Sequence, residues 1–288
     1  MIDQATELRK LVLRAMRAQP IATGPPPRLI VLTGGKGGVG VTTIAVNLSV
    51  ALAEQGSRVV VVDADMHRSD VATLCGLRDY QTGTNLLEAS RDIHQMLLPG
   101  PNGIQILPRL RVHGLNDHVR SEPGPSREGV GEISFERLRR QFATLGRHAD
   151  IVILDLGSGS GELIRRFSSA ADDVLLVTTP DSVAVMDAYT RIKTDLALAT
   201  DRSLRLVVNL AADAAQAAEV HRRIDSSSQN FLHTTIAFAG PVPQDEAVSR
   251  GATRSIPFVR SEPKSPASQA IERLAAALVA SPSQARTA

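Results

Sequence analysis

Between residues 33 and 43 the chain reads Thr33-Gly34-Gly35-Lys36-Gly37-Gly38-Val39-Gly40-Val41-Thr42-Thr43. Glycines at this density let the backbone take a tight path that aims successive amide hydrogens inward. A helix that begins directly afterwards adds partial positive charge at its N-terminus, so the chemistry that suits the loop is phosphate binding. Thr42 stands just inside that helix, where a hydroxyl can ligate Mg2+. The phosphate-loop pattern G-x-x-x-x-G-K-[ST] is met at Gly35, Gly40 and Thr42, but Val41 occupies the lysine position. The same stretch satisfies G-x-G-x-x-G through Gly35, Gly37 and Gly40, with Asp63 about twenty residues further on, as a dinucleotide site requires. Three features favour a nucleoside triphosphate: Lys36 inside the loop, Thr42-Thr43 at the helix start, and a second acidic strand end at Asp155. A triphosphate that carries Mg2+ needs carboxylates, whereas a pyrophosphate bound without metal does not.

These residues need elements to hold them. Leu29-Ile30-Val31-Leu32, the glycine loop, a helix predicted over 41–55 and Arg58-Val59-Val60-Val61-Val62-Asp63 form a β-loop-α-β unit. Near-continuous Val/Ile/Leu strands belong to parallel sheets buried on both faces, with helices supplied by the crossovers. Further strands are predicted at 103–107, 150–154, 173–178, 204–208 and 235–239. The expected fold is α/β: a single P-loop NTPase domain over 29–280, with a mainly parallel sheet covered by helices on both faces. Ahead of it, residues 1–19 read as an amphipathic helical arm, in which Leu8, Leu11, Val12 and Ala15 form one stripe. Residues 20–28 are a Pro-rich linker that cannot continue a helix. Residues 111–132, polar and rich in Gly, Pro, Ser and Arg, read as a flexible surface insertion. Ile271, Leu274, Leu278 and Val279 predict a terminal helix over 267–280 packed on the sheet, followed by a polar tail at 281–288.

Composition narrows the classes. At 288 residues the chain suits one large α/β domain or two ordinary ones, and 43% hydrophobic with 22% charged residues is a folded composition. Aromatics are 3% with no Trp, which argues against a base-stacking single-strand binder. Cys75 is the sole cysteine, so neither an intramolecular disulfide nor a thiolate metal cage is available, and it reads as a small core residue. The seven histidines, His67, His94, His113, His118, His148, His221 and His233, show no zinc-ligand spacing. A formal charge of +2 with arginines interleaved among Asp and Glu leaves no basic stripe, so nucleic acid is not an expected partner. No apolar run reaches about 18 residues and the N-terminus is no signal peptide, so a cytoplasmic protein, at most peripheral on the inner membrane face, is expected.

The loop Gly35-Lys36-Gly37-Gly38-Val39-Gly40-x-Thr42 resembles the deviant phosphate loop of the MinD/ParA ATPases, which carry an extra lysine early in the loop. Lys36 matches that lysine, which in the family reaches the partner subunit's phosphates, so the resemblance implies an ATP-dependent homodimer. It further implies ATP and Mg2+ as ligands, with nucleotide contacts from Gly35, Gly37, Gly38, Val39, Gly40, Val41, Thr42 and Thr43. Asp63-Ala64-Asp65 resembles switch I, with Asp65 positioning the attacking water. Asp155-Leu156-Gly157-Ser158-Gly159 resembles switch II, with Asp155 accepting from the Mg2+ waters, Thr42 ligating the metal and Gly157 near the γ-phosphate. Asn209 matches the asparagine that reads adenine. Within the superfamily the likeness is to the flagellar number and placement regulators FlhG, FleN and YlxH. Asp3, Gln4, Leu8 and Arg9 fall in a segment similar to their N-terminal motif, which stimulates the GTPase FlhF. Val41 is the departure: it removes the ammonium that bridges the β- and γ-phosphates and implies weak ATP turnover. The absence of an added basic segment after the terminal helix implies that any membrane contact is weak.

Four functions follow from these readings. A regulatory ATP switch leads; a non-hydrolysing adaptor of the same fold, a ParA-like DNA-partitioning ATPase and a dinucleotide-dependent oxidoreductase stay open at this point.

Overall fold

The computed structural model describes residues 25–65, 68–77, 93–108, 110, 135, 138–159, 161–196 and 203–281. The amphipathic arm with Asp3, Gln4, Leu8 and Arg9, most of the Pro-rich linker, His67, the insertion over 111–132 and residues 282–288 lie outside the described residues.

The strands are β1 (Arg28–Gly34), β2 (Val59–Asp63), β3 (Leu98–Pro99), β4 (Gln105–Leu107), β5 (Ile151–Asp155), β6 (Asp173–Thr178), β7 (Ser203–Ala211) and β8 (Ala237–Pro243). The helices are α1 (Val41–Glu54), α2 (Val71–Leu74), α3 (Gly161–Ala170), α4 (Ser182–Arg191), α5 (Ala214–Leu232), α6 (Glu246–Arg254), α7 (Phe258–Ser261) and α8 (Pro266–Ala280). A further helical stretch covers 138–144, and α4 runs on into a π-turn at Ile192–Leu196.

One eight-stranded sheet has the order β3-β4-β2-β5-β1-β6-β7-β8. All pairings are parallel except β3 with β4. Strand side chains alternate between two cores. Leu29, Val31, Val60, Val62, Val152 and Leu154 face one core, which Phe142, Phe167, Ile192 and Ile224 complete. Ile30, Leu32, Val59, Val61, Ile151 and Ile153 face the other, which Ile44, Leu48, Ile271 and Leu278 complete. With both faces covered, each aliphatic strand residue contributes about 1.5–3 kcal/mol of burial, and for that reason the strands read as unbroken apolar runs.

Several predicted boundaries shift, the strand expected at 204–208 for instance running over Ser203–Ala211. The strand expected at 103–107 begins at Gln105, because Pro101–Gly103 closes a 3-10 turn and Gly103 has φ 77°. The strand expected at 235–239 runs instead over Ala237–Pro243, and includes Gly240, Pro241 and Pro243. Prolines are tolerated there because β8 is an edge strand and their missing N–H groups cost no central ladder bond.

The order of the sheet makes β5 the neighbour of both β2 and β1. Three segments far apart in sequence therefore end side by side at the carboxyl edge: the loop after β1, Asp63 closing β2 and Asp155 closing β5. Crevices at this edge are where open α/β sheets bind ligands.

Candidate functional site

Gly40 is the N-cap of α1 with φ 95° and ψ 23°, a left-handed conformation suited to glycine, and no side chain caps the helix. The first intrahelical bond there is Ile44 N–H to Gly40 O at 3.0 Å. The amides of Val41, Thr42 and Thr43 therefore have no partner within the helix and stand ready for an anion. The loop is braced from two sides. A Cβ on Gly35 would stand 2.5 Å from the amide nitrogen of Ala188, so only glycine lets the loop lie against the α4 backbone. From β7, Asn209 Nδ2 donates to Val39 O at 2.8 Å. Asn209 is thus placed against the loop's backbone, and a Cβ on Gly40 would collide with its amide.

Val41 turns its side chain into the apolar core and is only 5% exposed. A Cβ on Gly34 would meet Val39 Cγ2 at 2.7 Å and Val41 Cγ2 at 3.0 Å, so valine methyls fill the space over the end of β1.

Asp63 and Asp155 are register partners on adjacent strands, and both are fully buried. Asp63 Oδ2 accepts from Ser69 Oγ at 2.9 Å and from the Val71 amide at 3.2 Å. Asp155 Oδ1 accepts from the Gly157 amide at 3.1 Å. Each carboxylate keeps one buried oxygen, Asp63 Oδ1 and Asp155 Oδ2, without a hydrogen-bond partner. Burial pushes the Asp155 carboxyl up to about 7, with the Thr42 hydroxyl nearby favouring the ionised form. Burial likewise lifts Asp63 to about 6, against the Ser69 hydroxyl. Two buried carboxylates with unsatisfied oxygens beside a helix-start hydroxyl match what a hydrated Mg2+ takes: oxygen donors and acceptors for its waters. Asp65, half-buried, folds back over the loop after β5, where a Cβ on Gly157 would collide with its carboxylate.

A cavity of about 600 Å3 opens over these groups. It is lined by Lys36, Gly37, Gly38 and Gly40 to Thr43 from the loop, by Asp65, Arg68 and Asp70 after β2, and by Gly157 and Ser158 after β5. Gly35, Val39, Asp155 and Asn209 stand behind that lining. Lys36 Nζ lies 3.7 Å from Asp181 Oδ1. Asp181 in turn caps α4 by accepting from the Ala184 amide at 2.9 Å.

Sequence reasoning passed over Arg191. Its Nε donates to Gly34 O at 3.3 Å and its Nη2 to Ser158 O at 3.0 Å, tying the end of β1 to the loop after β5. Its Nη1 pairs with Asp195 Oδ2 at 2.6 Å, and Arg165 meets Asp195 Oδ1 at 3.1 Å. The i,i+4 spacing of Arg191 and Asp195 could have revealed the ion pair, but nothing in sequence reveals the contacts to distant carbonyls. Cys75 is partly buried against the second core, and burial raises its thiol to about 12, so it stays protonated at neutral pH.

Residues 30–258 match the family described as the CobQ/CobB/MinD/ParA nucleotide-binding domain. The chain belongs to this family. Similar curated proteins include the antiactivator FleN of Pseudomonas aeruginosa, 30% identical over 253 residues, spanning 87% of this chain and 85% of FleN. The flagellum site-determining protein YlxH of Helicobacter pylori is 26% identical over 262 residues, spanning 88% of this chain and 82% of YlxH. Among solved structures, MinD of Pyrococcus horikoshii complexed with Mg-ADP superposes with a TM-score of 0.65 at 23% identity, covering 88% of this chain and 96% of that one. This MinD/ParA-family protein has, among its described residues, no helix long and apolar enough to cross a membrane.

Proposed function

We propose that this protein is an ATP- and Mg2+-binding regulatory switch that controls flagellar number or placement. The observation that carries the reading is the pair of buried, half-satisfied carboxylates Asp63 and Asp155 at adjacent strand ends, beneath a glycine loop whose helix has no side-chain cap. That pair suits a metal-bound triphosphate; a metal-free dinucleotide site would use Asp63 on the ribose but leaves the buried Asp155 without a role. The flagellar context comes from the likeness to FleN and YlxH.

In this reading the amides from Gly37 to Thr43 hold phosphate oxygens, with Gly35 and Val39 shaping the loop. Asn209 steadies that loop and meets the adenine. Thr42 and Asp155 would hold Mg2+, which would supply positive charge to offset the negative charge that develops during phosphoryl transfer. Asp65 accepts a hydrogen bond from the attacking water and orients it towards the terminal phosphate, while the Gly157 amide lies beside that phosphate. Lys36 exchanges Asp181 for the partner subunit's phosphates, so ATP joins two subunits. The segment with Asp3, Gln4, Leu8 and Arg9 stimulates an FlhF-like GTPase, and membrane contact is weak.

Light scattering of the full chain with Mg2+ and a non-hydrolysable ATP analogue tests the switch. The expected result is a dimer with the analogue, a monomer with ADP, and a monomer in both states for Lys36→Ala. Equal mass with both nucleotides in the wild type refutes the reading. Val41 favours a second reading, a non-hydrolysing adaptor, because its side chain is committed to the apolar core. Nucleotide-dependent dimers with no phosphate release above background select the adaptor.

A further inference from the structure

The phosphate loop of this chain lacks the ammonium that a lysine at position 41 would supply, and no rearrangement of the apolar Val41 side chain can restore that charge. Among the described residues that line the cavity, the cations are Lys36 and Arg68. Two carboxylates, Asp65 and Asp70, line it as well, and Asp63 and Asp155 lie behind. A metal-bound triphosphate entering this space meets an excess of fixed negative charge unless both cations turn towards it. Lys36 is engaged by Asp181. Arg68 is exposed, and its backbone is anchored at the cavity wall. Its backbone N–H donates to Asp65 Oδ1 at 3.2 Å, and the next residue, Ser69, donates to Asp63 Oδ2 at 2.9 Å. The backbone that carries Arg68 is therefore pinned to the same two aspartates that flank the reaction centre, and the exposed Arg68 lines the cavity.

We propose that Arg68 is a substrate-binding residue of this site, whose guanidinium neutralises the terminal phosphates in place of the lysine that Val41 displaces. A guanidinium is well matched to that role, because it stays charged at any working pH and its planar fork meets two phosphate oxygens at once. The reach differs from that of a loop lysine. Position 41 approaches the phosphates from inside the loop, whereas Arg68 approaches from the segment after β2, which also carries Asp65. Its contacts accordingly favour the terminal phosphate over the inner ones. The inference rests on the reading of the cavity as a site for a nucleoside triphosphate.

The test is calorimetric titration of the full chain with a non-hydrolysable ATP analogue and with ADP, each with Mg2+, for wild type, Arg68→Ala, and Arg68→Ala combined with Val41→Lys. Arg68→Ala is expected to weaken the ATP analogue at least ten-fold, equivalent to about 1.4 kcal/mol, and ADP by less than about three-fold. Its melting temperature should match wild type, because the side chain is exposed. The double variant should regain most of the lost affinity. Wild-type affinity for the analogue in Arg68→Ala, or an equal loss for analogue and ADP, overturns the proposal while leaving the nucleotide site intact. A wild type that binds neither ligand overturns the reading of the cavity itself. Should the double variant fail to fold, the contrast between the analogue and ADP in Arg68→Ala alone decides the matter.

Discussion

Asp155 has no exposed surface, and burial raises its carboxyl to about 7 in the protein without metal. In an unfolded chain the same group titrates near about 3.9. Between roughly pH 4 and pH 7 the folded state thus binds the proton more tightly than the unfolded state, and stability falls as pH rises through that window. Three pH units at about 1.36 kcal/mol each make about 4 kcal/mol the upper scale of the effect. Asp63, lifted to about 6 on the adjacent strand, adds to the slope in the lower part of the window. Asp155→Asn removes the charge and keeps the shape, so in EDTA the variant should gain about 2–4 kcal/mol over wild type at pH 8 and no more than about 1.5 kcal/mol at pH 5. For a domain of this size that is on the order of 5–10 °C in melting temperature. Chemical denaturation of wild type and variant at both pH values, without Mg2+ or nucleotide, measures the difference. The reasoning is refuted if Asp155→Asn is less stable than wild type at pH 8, or if both proteins share one pH slope.

Three further outcomes follow from the loop and its supports. Val41→Lys should raise ATP turnover at least ten-fold in a phosphate-release assay, since that needs only about 1.4 kcal/mol from one charged contact; unchanged turnover would show that position 41 does not limit the reaction. Gly35→Ala should lower the melting temperature and weaken ATP binding, with a cost of about 1–3 kcal/mol, because its methyl would press on the α4 backbone at Asp187 and Ala188. Arg191→Ala should cost about 3–5 kcal/mol by denaturation, because it strips the buried Asp195 of one partner and releases the carbonyls of Gly34 and Ser158.

Much of the fold was legible because its physics is local. β1, β2, β5 and β6 are unbroken aliphatic runs, and a strand buried on both faces has no other composition available. β3 was invisible: Leu98–Pro99 offers two residues and no period, and it pairs with β4 across the turn closed by Gly100 and Ile104. β8 was misplaced because Gly240, Pro241 and Pro243 carry turn chemistry that an edge strand tolerates. The glycine loop was legible as a candidate phosphate site through residue types alone. What holds it did not show, since the Asn209 amide reaches Val39 O across 170 positions and Arg191 reaches Gly34 O across 157. The insertion of β5 between β2 and β1, which brings Asp155 beside Asp63, is likewise a property of the sheet order and of no single segment.

The central claim is that the cavity over β1, β2 and β5 holds a nucleoside triphosphate through Mg2+. Calorimetric titration of the full chain with ATP, ADP, GTP and NAD+, each with Mg2+ and again with EDTA, tests it most directly. The account predicts that ATP binds with Mg2+, binds at least ten-fold more weakly in EDTA, and competes with ADP, while NAD+ gives no saturable heat. Tight NAD+ binding that ATP does not displace, or ATP binding indifferent to EDTA and to Asp155→Asn, would contradict it.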